Sequence, residues 1–130
     1  MRRVWILAAA AVLASCSPKA KTGAEAKSEG LEEAILAWRQ QIMKTDAACT
    51  SKADGCQSFE VGCKMERPIT PTDQAKGVTA KLVVAMSWEG WDAKRSEYRP
   101  QAGFGEFTKV DGGWLRGTTA PVNLSTCVSS

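Results

Sequence analysis

Four cysteines, Cys49, Cys56, Cys63 and Cys127, fall in the body of this chain, and a fifth, Cys16, stands apart at the end of an apolar N-terminal run. What they can form depends on where the chain folds. Met1-Arg2-Arg3 is a basic start, Val4 to Ala14 is an apolar run of eleven residues, and small residues close it. That is the composition of a secretory signal. The run is too short for a spanning helix, which needs about 20 apolar residues, and no other stretch approaches that length. An exported chain folds under oxidising conditions, where an even count of four cysteines reads as two disulfides.

Leu13-Ala14-Ser15-Cys16 resembles the lipobox of bacterial lipoproteins. The resemblance covers the first sixteen residues and carries one residue over. It implies that residues 1–15 are removed as a signal peptide. It also implies that the Cys16 thiol takes a diacylglycerol and that its freed amino group is acylated. Residue 17 is Ser, not Asp, which by the family's sorting rule favours the outer membrane, with the domain facing the periplasm. Two or three acyl chains hold a protein on a bilayer essentially permanently, since each buried methylene is worth about 0.8 kcal/mol.

The chain carries 17 basic and 14 acidic side chains, but Arg2 and Arg3 belong to the signal, so the basic count of the mature chain falls to 15. Near-neutral charge gives no footprint for nucleic acid, and none is expected as a partner. Histidine is absent. That excludes Ser-His-Asp and Cys-His catalysis and His-containing zinc sites. Gly-rich phosphate loops, Ser-x-x-Lys, Cys-x-x-Cys and the peptidoglycan-binding signature of OmpA-like domains are also missing. Cysteines seven residues apart do not match a thiolate metal site. The chain reads as no enzyme, with no cofactor and no metal.

Residues 16–30 read as the lipidated cysteine and a flexible tether, since Ser17 to Gly30 holds no large apolar residue. As a coil its fourteen residues reach roughly 20 Å. Residues 31–130 then form one small domain. Leu31, Ala34, Ile35, Trp38 and Ile42 share one helical face, which predicts a helix over Leu31 to Asp46 with Ser28 as its N-cap. Trp38 belongs to the core by this spacing. Ala47 to Gly55 reads as a polar loop. Gln57 to Glu66 alternates as a half-buried strand, with Phe59, Val61, Cys63 and Met65 on one side and Ser58, Glu60, Gly62 and Lys64 on the other. Pro68 and Pro71 predict a turn over Arg67 to Asp73.

Gly77 to Glu89 is the best strand. Val78, Ala80, Leu82, Val84, Met86 and Trp88 form its inner face, and Val83 and Ala85 make it central. Glu89-Gly90 reads as a turn and Trp91 to Pro100 as irregular. Ala102 to Val110 is a third strand, with Phe104 and Phe107 on opposite faces. Asp111-Gly112-Gly113 is a hairpin signal, returning through Trp114 to Thr119. Pro121 to Ser130 is a tail.

Strand geometry limits the cysteine pairing. Cys56 and Cys63 bracket about 23 Å of extended chain at about 3.3 Å per residue, whereas a disulfide holds its Cα atoms roughly 4.4–6.8 Å apart. Cys56–Cys63 is disfavoured, and Cys49–Cys127 with it. The preferred pairing is Cys49–Cys56 with Cys63–Cys127; the alternative is Cys49–Cys63 with Cys56–Cys127. Loop-closure entropy gives about 2.5 kcal/mol for the short preferred loop and about 4 kcal/mol for the long one.

One helix followed by about four antiparallel strands predicts an α+β domain with its sheet packed on the helix. The order of elements is weakly similar to cystatin-like or NTF2-like sheets. That similarity is topological, carries no residues over and gives no activity. The most unusual stretch is Trp88-Glu89-Gly90-Trp91, where Trp88 keeps the inner-face parity of its strand and Trp91, past the turn, is the more exposed. Asp92, Lys94, Arg95, Glu97 and Arg99 follow as a mixed-charge run beside Tyr98, a solvated loop by default and otherwise a rim for an acidic partner, since three of the five charges are basic. Trp91, Arg95 and Tyr98 are the candidate partner-binding residues, since aromatic and arginine side chains dominate binding hot spots. The expected activity is that of a membrane-anchored, non-catalytic binding or envelope-structural module. Its partners would be the membrane, through the lipid, and an envelope protein or glycan. The alternative is a membrane-presented inhibitor of a secreted hydrolase, using Arg67 to Asp73 as a wedge.

Overall fold

A computed structural model of the chain describes Ser28 to Ser129. The signal, Cys16 and the tether as far as Lys27 lie outside the described residues. Helix α1 (Leu31–Thr45) lies against a four-stranded antiparallel meander, β1 (Gln57–Glu66), β2 (Val78–Asp92), β3 (Glu97–Val110) and β4 (Gly113–Thr118), in spatial order β1-β2-β3-β4. Two short helices interrupt the connections, α2 (Ala47–Thr50) and α3 (Pro71–Ala75). The disulfides are Cys49–Cys56 and Cys63–Cys127, with Cα separations of 4.6 and 5.7 Å.

A fifteen-residue helix is marginal alone in water. α1 stands because Leu31, Ile35, Trp38 and Ile42 are buried on the sheet. They meet Ala80, Leu82, Val84, Met86 and Trp88 of β2 and Phe107 of β3. Each large apolar side chain so buried contributes about 1.5–3 kcal/mol. Glu32 and Glu33 in the first turn and Lys44 in the last complement the helix dipole. The N-cap is Gly30, at φ +83°, rather than Ser28. A left-handed backbone there brings Glu29 to β4, where the Trp114 indole Nε1 donates to the Glu29 carbonyl at 2.7 Å. Asp46 ends α1 in an extended conformation, and its carboxylate accepts the Ala48 amide at 2.9 Å to cap α2. The expected polar loop therefore begins with a helical turn.

The opposite face of the sheet carries a second core of Val83, Ala85, Cys63, Met65 and Phe104, covered by Val122 and Cys127 of the C-terminal segment. Val83, Val84 and Ala85 are fully buried, as a central strand requires. Phe104 and Phe107 do face opposite sides. The alternation expected along β1 is broken, however. Val61 pairs with Met86 but Cys63 pairs with Ala85, so one extra residue, Gly62, sits in a bulge. A bulge shifts the side-chain period by one. Phe59 and Val61 therefore join the helix-side core, while Cys63 and Met65 turn to the other face. That inversion brings Cys63 to Cys127.

The segment Arg67 to Asp73 is more ordered than a turn. Thr70 and Asp73 form a reciprocal capping box at the start of α3, and Lys81 of β2 holds Asp73 at 2.7 Å. That hydrogen-bonded ammonium, with the Thr70 amide and hydroxyl, keeps the Asp73 carboxyl down at about 2. The expected wedge is thus pinned to β2.

Two further expectations are corrected. Glu89-Gly90 is not a turn: β2 runs on to Asp92, and β3 begins at Glu97 rather than Ala102. Glycine stands in mid-strand because a Cβ there would lie 2.8 Å from the Ala48 Cβ, so it is the close approach of α2 that requires it. The irregular stretch is in fact the end of a long hairpin with Asp92 opposite Glu97 and a four-residue loop over residues 93–96. At the other hairpin, Asp111 and Gly112 both take positive φ, 51° and 78°, as a two-residue turn of that type demands.

Candidate binding site at the hairpin tip

Because β2 and β3 extend beyond β4, which pairs only with residues 105–110, the last residues of β2 and the first of β3 form a projecting arm. Trp91 and Tyr98 lie directly opposite each other on it, ring centroids 5.1 Å apart and edge to face. Such pairs contribute about 0.5–1.5 kcal/mol beyond their burial. Lys52 reaches over both rings, its Nζ 3.8 Å from the centre of Trp91 and 4.5 Å from that of Tyr98. The Tyr98 hydroxyl donates to the Gly55 carbonyl at 3.4 Å. Lys52 and Gly55 belong to the loop that Cys49–Cys56 closes, so the short disulfide fixes the platform on which the aromatic pair rests.

At the tip, the Asp92 carboxylate accepts the amides of Lys94 and Arg95 at 3.0 and 3.2 Å and shapes the loop. The same carboxylate lies 3.9 Å from the Arg95 guanidinium. Between the arm and α2 runs an open groove of about 700 Å³, lined among others by Ala47, Ala48, Trp91, Lys94, Arg95 and Arg99. Arg99 pairs with Glu97 at 3.1 Å across exposed side chains. Lys94 has no ion-pair partner among the described residues.

Of the three candidate residues, Trp91 and Arg95 line the groove, and Tyr98 touches Trp91 from outside it. Arg99, read in the sequence as part of the mixed-charge run, also lines the groove; Lys52 and the α2 floor were not legible. Their one signal was Ala47-Ala48 after a capping Asp, small residues that let a helix approach a strand glycine. Glu89 accepts from Gln57 at 2.8 Å and from Ser58 at 3.4 Å, whereas Asp92 serves its own loop.

The two ends of the molecule differ. Glu29 meets Trp114, which pairs with Lys109 beside the β3–β4 turn. From Lys109 to Glu97, β3 runs twelve residues, or roughly 40 Å. Glu29, at the N-terminal end of the described chain, lies at one pole, and Trp91 and Arg95 stand at the other. No described helix is long and apolar enough to cross a membrane. Comparison with protein-family models, with curated proteins and with solved structures finds no match.

Proposed function

We propose that this chain is a lipid-anchored envelope protein, held by an acylated Cys16 in the outer membrane and facing the periplasm. Its domain is a non-catalytic binding module whose partner docks at the hairpin tip. The observation that carries this reading is the half-exposed Trp91–Tyr98 pair. It is braced by Lys52 and set at the pole opposite the tether. Neither ring is needed to close either apolar core. An aromatic pair held rigid outside the core suits recognition, because little side-chain freedom is lost on binding. A cationic rim suits an acidic partner. The anchor supplies location and the tip supplies selectivity, so the two functions occupy separate ends of one chain.

The test is capture of envelope components by the full-length protein in detergent. Trp91→Ala is expected to weaken capture roughly tenfold, the loss of one hot-spot side chain, with a single cooperative melt whose midpoint falls by no more than the several degrees that the lost Tyr98 and Lys52 contacts account for. Undiminished capture by Trp91→Ala overturns the tip as the docking site.

A further inference from the structure

The geometry points to an acidic glycan, a polysaccharide bearing carboxylates on its sugar rings, as the ligand of the groove between α2 and the hairpin arm. This deepens the binding-module reading and rests on it.

Three features separate such a ligand from a protein partner. The first is the floor. Ala47 and Ala48 give a shallow surface, with no desolvated pocket of the kind that anchors a protein hot spot. The second is the strand edge. Glu97 to Phe104 of β3 has no neighbour on the β4 side, which would invite a peptide strand. Pro100 stands in the middle of it, opposite Glu89. Proline cannot take part in a hydrogen-bonded pair, so its missing donor falls on the open edge. Main-chain pairing with an added peptide is broken there.

The third feature is the kind of side chain along the groove. Trp91 lines the groove with Lys52 over its ring at 3.8 Å and Tyr98 against it at 5.1 Å, and the part of the indole left at the surface is the apolar patch on which the C–H face of a sugar ring packs. Lys94 and Arg95 on the loop and Arg99 on β3 put three cations in the groove lining, against the single carboxylate of Asp92. Arg95 and Arg99 are held only by exposed pairs, to Asp92 at 3.9 Å and Glu97 at 3.1 Å. Pairs of that kind are worth little. A ligand carboxylate with good bidentate geometry displaces them.

Calorimetric titration of the detergent-solubilised full chain with short oligogalacturonate, polyglutamate and dextran tests the assignment. Oligogalacturonate is expected to bind roughly tenfold or more tighter than either comparator, and to weaken as salt rises. Trp91→Ala and the double variant Arg95→Gln/Arg99→Gln should each lose roughly tenfold in affinity. Equal binding of polyglutamate overturns the sugar component, and equal binding of dextran overturns the acidic one. No binding of oligogalacturonate overturns the inference altogether. The tip reading is judged separately, by whether Trp91→Ala still captures envelope components.

Discussion

Gly62 carries no side chain because the C-terminal segment occupies the place one would take. A Cβ there would overlap the carbonyl oxygen of Leu124. That segment is held by the Cys63–Cys127 disulfide and the Val122–Ser129 bridge. It is also held locally, since Asn123 accepts the amides of Ser125, Thr126 and Cys127. Backbone tied at so many points cannot move aside for a methyl group. Gly62→Ala is therefore expected to cost about 1–3 kcal/mol, read as a fall in melting temperature of roughly 4–8 °C per kcal/mol. Gly117→Ala, whose Cβ would meet the Glu106 carbonyl oxygen at 3.9 Å in ordinary contact, is the control and should not fall. Alternation placed Gly62 on a solvent face, a reading that is right for an unbroken strand. A bulge has no period, and the sequence has no local mark that separates a glycine under a crossing backbone from one facing water.

At the scale of elements, what the sequence disclosed followed from periodicity. The apolar stripe of α1 and the alternation of β2 were both legible, as was the Asp-Gly turn into β4, because each depends on residues close together in the chain. The hairpin arm was not. Its strands are charged and solvated, and they are ordered by cross-strand contacts such as Trp91 with Tyr98 and by Lys52, distant in sequence. The α3 segment was read from its prolines alone, although Thr70 and Asp73 are spaced as a capping box. Asp73 also joins α3 to β2 through Lys81, and this contact is pH-dependent. Asp73 has its ordinary value of 3.8 lowered to about 2 in the fold. A lowered carboxylate contributes stability above its unfolded value and loses it as pH falls through the folded one. Asp73→Asn is thus expected to melt lower than the unsubstituted protein at neutral pH. The gap should close between about pH 4 and pH 2. A gap that persists undiminished at pH 2 contradicts the ion-pair account.

Taken whole, the molecule is a short bar with different chemistry at its ends. Two apolar cores lie on the two faces of one sheet, and each face has its own cover: α1 on one, the disulfide-tied C-terminal segment on the other. A small domain buries a limited fraction of its surface, so the two cross-links stand where a larger core would otherwise be needed. The sheet's long axis separates the N-terminal end of the described chain from the hairpin tip by roughly 40 Å. A tether of roughly 20 Å on a lipidated cysteine would leave the tip free to meet a partner away from the bilayer. Everything in this account of location turns on Cys16. The measurement that tests it is the intact mass of the protein purified from membranes, before and after reduction. The account predicts a chain that begins at Cys16, carries the mass of two or three acyl chains and gains two hydrogens for each of its two disulfides on reduction. A chain cut elsewhere and free of acyl mass would contradict it and make this a soluble secreted domain.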